Sequence, residues 1–290
     1  MPASTINSPE LTQEQVIAIL VEPLQAASVF LAAGPRIFDT NGSPVRIPKL
    51  NGMTPAAWVG ENTLIPEVEA DFGEITLLPS GMKSVKSLTR FSNELARQSV
   101  IALDAALRDR MVRDVAAKLD TAFIAGTGAA GTEPTGLINY PGTTAIPGVG
   151  VLSLDDLHDA EGAALASNVD PARLKWFMRS GTFVGLRKLK DTSGKYLVQP
   201  DPTEAGAYRL LGHSVTVTNR IPVDAGTPAT TSAVLADFSQ IAVARDLAPS
   251  VKILDQTFGD FDQMAIRVVA RYDAAPLNPE AVVVLRGITA

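Results

Sequence analysis

The chain has 290 residues, 46% of them hydrophobic and 19% charged, enough to bury a sizeable core and to form about two structural lobes. It contains no cysteine, which excludes a disulfide framework and a thiolate metal site. The formal net charge of -6, with lysine and arginine scattered along the chain, excludes the overall basic footprint of a sequence-independent nucleic-acid binder.

The opening residues MPASTINSPELTQEQ lack the basic start and apolar run of a signal peptide and read as a polar, mobile arm of a soluble intracellular product. Val16 to Ala33 is apolar but broken by Glu22, Pro23 and Gln25, whereas roughly twenty uninterrupted apolar residues are needed to span a bilayer. A short helix docked on a neighbouring surface is expected there. Asp39 to Pro79 is rich in turn signals, above all Asn41-Gly42-Ser43-Pro44 and Asn51-Gly52. Val45 to Pro48 and Trp58-Val59 flank the second turn and are expected to form the two sides of a long hairpin. Pro44, Pro48 and Pro55 keep it out of a central sheet position, so it reads as a projecting loop that reaches a neighbour.

Lys83 to Phe91 alternates as a strand does, and Ser92 is a good N-cap for a helix beginning at Asn93. From Asn93 to Ala125, Leu103, Leu107, Met111, Val115, Leu119 and Phe123 recur every fourth residue as one apolar stripe. Asp104 with Arg108, Asp109 with Arg113, Arg110 with Asp114 and Asp114 with Lys118 are spaced to pair along the opposite face. Such a helix spans about 50 Å and reads as a spine. After Gly150 the sequence predicts a helix from Ser153 toward Ala166, a strand over Arg173–Met178, and a short helix capped by Ser180 running to Lys190. A turn at Asp191–Gly194 comes next, and then strands over Ser214–Thr218, Ala233–Ala236, Ile241–Ala244, Gln263–Tyr272 and Ala281–Leu285. Helices and strands mix without a regular βαβ alternation, so the class is α+β.

Four groups of residues invite a chemical reading. Gly126-Thr-Gly128-Ala-Ala-Gly131 matches G-x-G-x-x-G, but a dinucleotide site needs a strand before the glycines and a helix after them. Here a helix precedes, and Thr132-Glu133-Pro134 comes after, so a helix end and loop are expected. Asp155, Asp156, His158, Asp159 and Glu161 cluster at a helix start, where the helix dipole favours acids; the metal reading of His158 with Glu161 is the weaker one. Glu61, Glu67, Glu69, Asp71 and Glu74 form an acidic stretch, read as a solvated or subunit-contact surface in preference to a cation site. His213, the second of the two histidines, reads as a turn residue and not as a catalytic base. No catalytic, cofactor-binding or metal-ligating residue is therefore assigned, and no enzyme activity is expected.

The order of elements resembles that of the major capsid proteins of tailed bacteriophages, with the Hong Kong 97 fold. The resemblance runs from about Gln13 to the C-terminus. It is carried by Val21-Glu22-Pro23, Ser28-Val29-Phe30 and Gly34-Pro35-Arg36, by Trp58-Val59-Gly60-Glu61 through Ile65-Pro66-Glu67, and by the helix of residues 92–125. Gly126-Thr-Gly128 with Glu133-Pro134-Thr135-Gly136-Leu137, Leu186 to Asp191 with Gly194-Lys195-Tyr196, and Leu211-Gly212 with Val215-Thr216-Val217 complete it. The resemblance implies an N-terminal arm (1–38), an extended β-hairpin loop (39–80), a peripheral domain on the spine helix (81–150 and 250–274) and an axial domain (151–249 and 275–290). It implies self-assembly into pentamers and hexamers of an icosahedral shell that encloses double-stranded DNA without binding it specifically. The implied partners are copies of the chain itself and a portal protein. Since the sequence shows no long helical N-terminal extension of the kind some members use as a built-in scaffold, a separate scaffolding protein is implied, or none, and a separate cement protein is a further candidate. The place implied is the virion, with assembly in the cytoplasm of a bacterial host and no membrane association. Some members crosslink their loops through a Lys-Asn isopeptide bond promoted by a Glu. Here Leu50 to Met82 holds no lysine, and the three positions fall near Asn62, Gln263 and Ala270, so no autocatalytic crosslinking is expected. An encapsulin, a bacterial compartment shell of the same fold, is the alternative that stays open, and a nucleotide-binding enzyme resting on the glycine cluster is the remote one.

Overall fold

The computed structural model describes residues 27–52, 58–62, 64, 71–78, 83–94, 103–198 and 208–289. The elements, in order, are α1 (Val29–Ala32), β1 (Arg36–Thr40), β2 (Val45–Gly52), β3 (Asp71–Leu77), β4 (Ser84–Ser92), α2 (Leu103–Ala125), β5 (Thr144–Ile146), α3 (Leu154–Ala166), β6 (Leu174–Met178), α4 (Ser180–Arg187), β7 (Arg209–Leu210), β8 (His213–Val217), β9 (Val223–Asp224), β10 (Thr230–Asp237), β11 (Ile241–Phe258), β12 (Gln263–Pro276) and β13 (Val283–Thr289). The mixed α+β class expected from the sequence is the one the chain adopts.

Among the described residues the strands form three sheets. One has four strands in the order β1-β11-β12-β4, with β1 parallel to β11 and the other pairs antiparallel. A second has the order β5-β13-β10-β6-β8-β7, with β9 alongside β10. The third is the two-stranded pair β2-β3. Helix α2 lies against the four-stranded sheet and shares one core with both larger sheets. Met111, Val115, Leu119 and Phe123 pack with Ile266, Val268, Ala270 and Tyr272 of β12 and with Val234 and Val284 of β10 and β13. These four are the described part of the stripe read from the sequence. The buried face is wider than one stripe, because Val112, Ala116, Asp120, Ala122 and Ile124 are buried too. Of the pairs expected on the opposite face, Arg110–Asp114 closes at 3.0 Å. Asn93 and Glu94 are helical, and the stretch between them and Leu103 lies outside the described residues.

The second core lies on the other side of the larger sheet. Strands β6, β10 and β13 alternate between the two cores: Phe177, Val234 and Val284 face the first, while Trp176, Leu235, Val283 and Leu285 face the second, under Leu157, Ala160 and Ala164 of α3 and Phe183 and Leu186 of α4. Helix α3 begins with a capping box in which Ser153 and Asp156 bond each other reciprocally. Ser180, expected to cap α4, is instead its first residue. Arg179 holds the cap position, and the Ser180 hydroxyl donates to Asn219 Oδ1 at 2.7 Å.

One expectation for the N-terminal half needs correction. The return limb of the hairpin is Asp71–Leu77, paired with β2 in the register Val45↔Leu77 through Leu50↔Phe72, and not Trp58-Val59. The apolar segment ending at Ala33 is expected from sequence to form a short helix docked on a neighbouring surface. For its described end, α1, that surface is this chain's own core, with the Phe30 ring 5.0 Å from Phe123 and 5.5 Å from Phe238. Residues 16–26 lie outside the described residues.

Candidate functional site: the latched arm and the rooted loop

Two features position the parts of the chain that leave the core. The first is a latch on the spine. Asp120, on α2, is 1% exposed. Its Oδ1 accepts from the Ser28 hydroxyl at 2.5 Å and the Phe30 amide at 3.1 Å, and its Oδ2 from the Val29 amide at 3.0 Å. The Ser28 hydroxyl oxygen in turn accepts from the Leu31 amide at 3.1 Å as the N-cap of α1. One carboxylate thus satisfies the orphan donors at the start of a one-turn helix and fixes the chain where the arm meets the core. Burial pushes the Asp120 carboxyl above its usual range, against the lowering pull of the Ser28 hydroxyl, the two amides and Arg220.

The second is the root of the two-stranded loop. Asp273 on β12, almost wholly buried, accepts from Lys83 Nζ at 2.8 and 2.9 Å and from the Leu78 amide at 3.0 Å. Asp246 on β11 accepts from the Gly42 amide at 2.7 Å and from Arg271 at 3.1 Å. Arg245 grips Asp39 with two bonds of 2.5 and 2.8 Å, and this holds the Asp39 carboxyl below its usual range. Leu77 and Leu78 pack on Ala242, Ala244 and Ala275, with Phe38, Val45, Ile47 and Ile75 around them. Both limbs are therefore fastened where they join the sheet. Beyond that root the loop carries apolar side chains into solvent: Trp58 is 105% exposed, Leu64 91% and Phe72 74%. Large exposed apolar side chains on one projecting loop are what an interaction surface presents. Pro48 sits inside β2 opposite Glu74, a position a two-stranded ribbon tolerates.

The residues that invited a chemical reading occupy structural positions. Gly126 and Gly136 close the end of α2. The Gly136 amide donates to the Gly126 carbonyl at 2.9 Å, and Thr127 bridges to Thr135. A Cβ on Gly136 would lie 2.4 Å from the Gly126 nitrogen and 2.5 Å from the Ala125 nitrogen, so glycine is required by a backbone crossing. Gly128 and Gly131 have φ of +69° and +68°. The glycine run is thus the spine's end, as expected. His213 is not a turn residue: it is buried at the start of β8, with Nε2 3.2 Å from Glu161 Oε1. His158 Nδ1 is 3.9 Å from the other oxygen of Glu161. Among the described residues no group of three or more His, Asp or Glu is arranged to hold a metal ion. Of the acidic stretch, Glu61 is exposed and Glu74 lies 4.0 Å from Arg46, while Glu67 and Glu69 lie outside the described residues. Of the three positions matched to a crosslink, Asn62 is exposed, Gln263 pairs with Ser92 and Ala270 is buried. No helix among the described residues is long and apolar enough to cross a membrane.

The phage capsid family profile matches residues 11–287. The chain is 23% identical over 265 residues to the major capsid protein of Halomonas phage phiHAP-1, a match covering 91% of this chain and 41% of that protein. It is 22% identical over 303 residues to the major capsid protein of Klebsiella oxytoca phage phiKO2, covering 96% and 68%. The chain thus spans well under half the length of the Halomonas phage relative. In structure it is similar to the capsid of a native GTA particle, with a TM-score of 0.73 at 18% identity over 90% of each chain. It is likewise similar to a chain from Mycobacterium phage Bobi, with a TM-score of 0.72 at 19% identity over 100% of each. At these identities the structural likeness speaks to the fold, which is that of Hong Kong 97-type capsid proteins. With the profile spanning nearly its whole length and an architecture that tracks capsid structures from end to end, the chain belongs to the phage capsid family.

Proposed function

We propose that this chain is a structural major capsid subunit, not an enzyme, that self-assembles through pentamers and hexamers into an icosahedral shell around double-stranded DNA. The observation that carries the reading is the loop fastened at its root by Asp246, Asp273 and Arg245 while Trp58, Leu64 and Phe72 stand in solvent. A rigidly rooted, apolar, outward loop has its natural use in covering a neighbouring copy. In this reading residues 1–38 are the arm, 39–80 the extended loop, 81–150 with 250–274 the peripheral domain, and 151–249 with 275–290 the axial domain. The sheet that carries the loop root continues past two of these boundaries, since β11 begins at Ile241 and β12 ends at Pro276. The shell closes on a portal protein, any scaffolding or cement is supplied by separate chains, and it is built in the cytoplasm of the host before it becomes the virion wall.

The contacts of this shell are non-covalent, because no lysine lies between Leu50 and Met82 to form an isopeptide bond. Two measurements test the proposal. Sedimentation and negative-stain microscopy of the purified protein are expected to give capsomer rings or closed particles, and a strictly monomeric protein at high concentration contradicts it. Denaturing electrophoresis of particles is expected to give a single monomer band, and a ladder of covalent oligomers refutes the non-covalent shell.

A further inference from the structure

The spine helix and one edge of the four-stranded sheet enclose a cavity between them. Strand β4 is that edge: among the described residues it pairs with β12 alone. The cavity, of about 400 Å³, lies between the start of β4 and the C-terminal half of α2, beside residues 132–134, and has the size of a small-ligand site. Its floor is apolar. Leu119, Ala122, Pro134 and Tyr272 are buried there, and Val85 closes one side. Its rim is cationic. Lys83 is already engaged by Asp273, but Lys86 on β4 and Lys118 on α2 are exposed, and among the described residues neither is paired with a carboxylate. Asp114, spaced to pair with Lys118, is held by Arg110 instead. Of the lining residues Glu133 alone carries a free carboxylate, so two unpaired cations stand against one acid.

We propose that this cavity binds a small carboxylate with an apolar body. A bare inorganic anion would pair with the lysines and leave the apolar floor wet, and a neutral hydrocarbon would cover the floor and gain nothing from the lysines. An anion with an apolar body does both. Its body displaces water from Val85, Leu119, Ala122, Pro134 and Tyr272, and its carboxylate accepts charge-assisted hydrogen bonds from the Lys86 and Lys118 ammonium groups. The two lysines stand on facing walls, so an occupant bonded to both ties α2 to the sheet edge. Lys83 shares the cavity wall and holds the loop root through Asp273, so the same occupant touches spine, edge and loop root at once. A ligand that binds only the folded chain stabilises it with rising concentration. The proposal goes beyond the shell reading and does not rest on it.

The test compares octanoate with octanamide, its neutral counterpart, and with acetate, which lacks the apolar body. At about ten times its Kd, octanoate is expected to raise the Tm of the subunit by about 3 °C or more, and octanamide and acetate at the same concentration to leave it near the unliganded value. Lys86→Met and Lys118→Met are each expected to weaken octanoate binding about tenfold in isothermal titration, while Lys118→Arg keeps most of it. Because both positions are exposed, the melting of these variants without ligand is expected to match wild type, which separates binding from folding. Equal shifts from octanoate and octanamide would remove the lysines from the site, and equal shifts from octanoate and acetate would remove the apolar floor; either overturns the proposal. It is overturned as well by octanoate affinity that is unchanged in both methionine variants, or by no octanoate binding at all. Particle formation tests the shell separately, and none of these outcomes alters it.

Discussion

Removing the Asp120 carboxylate is expected to release the arm from the spine. Asp120→Ala strands three donors: the Ser28 hydroxyl and the Val29 and Phe30 amides, all within 3.1 Å of the carboxylate. Each unsatisfied buried donor costs about 1–3 kcal/mol, and because the three act as a unit a total near 3–5 kcal/mol is expected. Asp120→Asn keeps one acceptor but turns an N–H toward a backbone amide, so a loss of about 1–3 kcal/mol is expected. The pH dependence adds a signature. Since burial raises the folded-state value of this carboxyl above its unfolded value of 3.8, the native state binds the proton more tightly. The Asp120 contribution is then fully present below 3.8 and diminishes as pH rises through the raised folded value. The stability difference between wild type and Asp120→Asn, measured by urea denaturation from acid to neutral pH, should be largest in acid. A difference that grows toward neutral pH would refute the buried, proton-favouring environment, and no loss in Asp120→Ala would refute the latch.

Three further outcomes are expected. Breaking the loop root with Lys83→Met leaves Asp273 buried without its cation and should cost about 3–5 kcal/mol, with faster amide exchange at Leu78; thermal melting and hydrogen exchange read both. Gly136→Ala drives a Cβ into the backbone at Gly126 and should cost more than about 3 kcal/mol or abolish soluble expression, whereas Gly131→Ala, with open space but φ of +68°, should cost about 1 kcal/mol. The Asp39–Arg245 pair is largely exposed on the Asp39 side, so Asp39→Asn should cost only about 0.5–1 kcal/mol. Because the folded-state value of Asp39 is lowered below 3.8, that contribution is present above 3.8 and lost as pH falls through the folded value, a dependence opposite in sign to that of Asp120.

The long-range order of the fold is legible in the sequence where one face of an element is buried and the other wet. Met111, Val115, Leu119 and Phe123 recur every fourth residue because one side of α2 faces β12. Ser153 and Asp156 announce α3 because a capping box is local chemistry. The loop is visible as a loop, but its pairing is not. The ribbon buries one face only near its root, where Val45, Ile47, Ile75 and Leu77 pack, and the alternation of Glu74 to Leu77 is too short to mark β3 as the partner of β2. Only Ile241–Ala244 of the 18-residue strand β11 can be read, because Pro249 interrupts the pattern; the strand accommodates it where the register with β12 shifts, between Asp246 and Ser250. Asp120 gives no signal at all. A lone acid on a charged helix looks solvated, and its partners lie about ninety residues upstream, in a stretch whose sequence suggests a docked helix without saying where it docks. The same holds for Glu161, which meets His213 across 52 residues.

The central claim is that this chain builds a shell by laying its rooted, acidic loop over a neighbour. Cryo-electron microscopy of the purified, concentrated protein tests it most directly. The account predicts closed particles in which the β2-β3 ribbon of one copy crosses onto the next copy. A map in which the ribbon folds back on its own subunit, or a protein that yields only monomers under every condition, would contradict it.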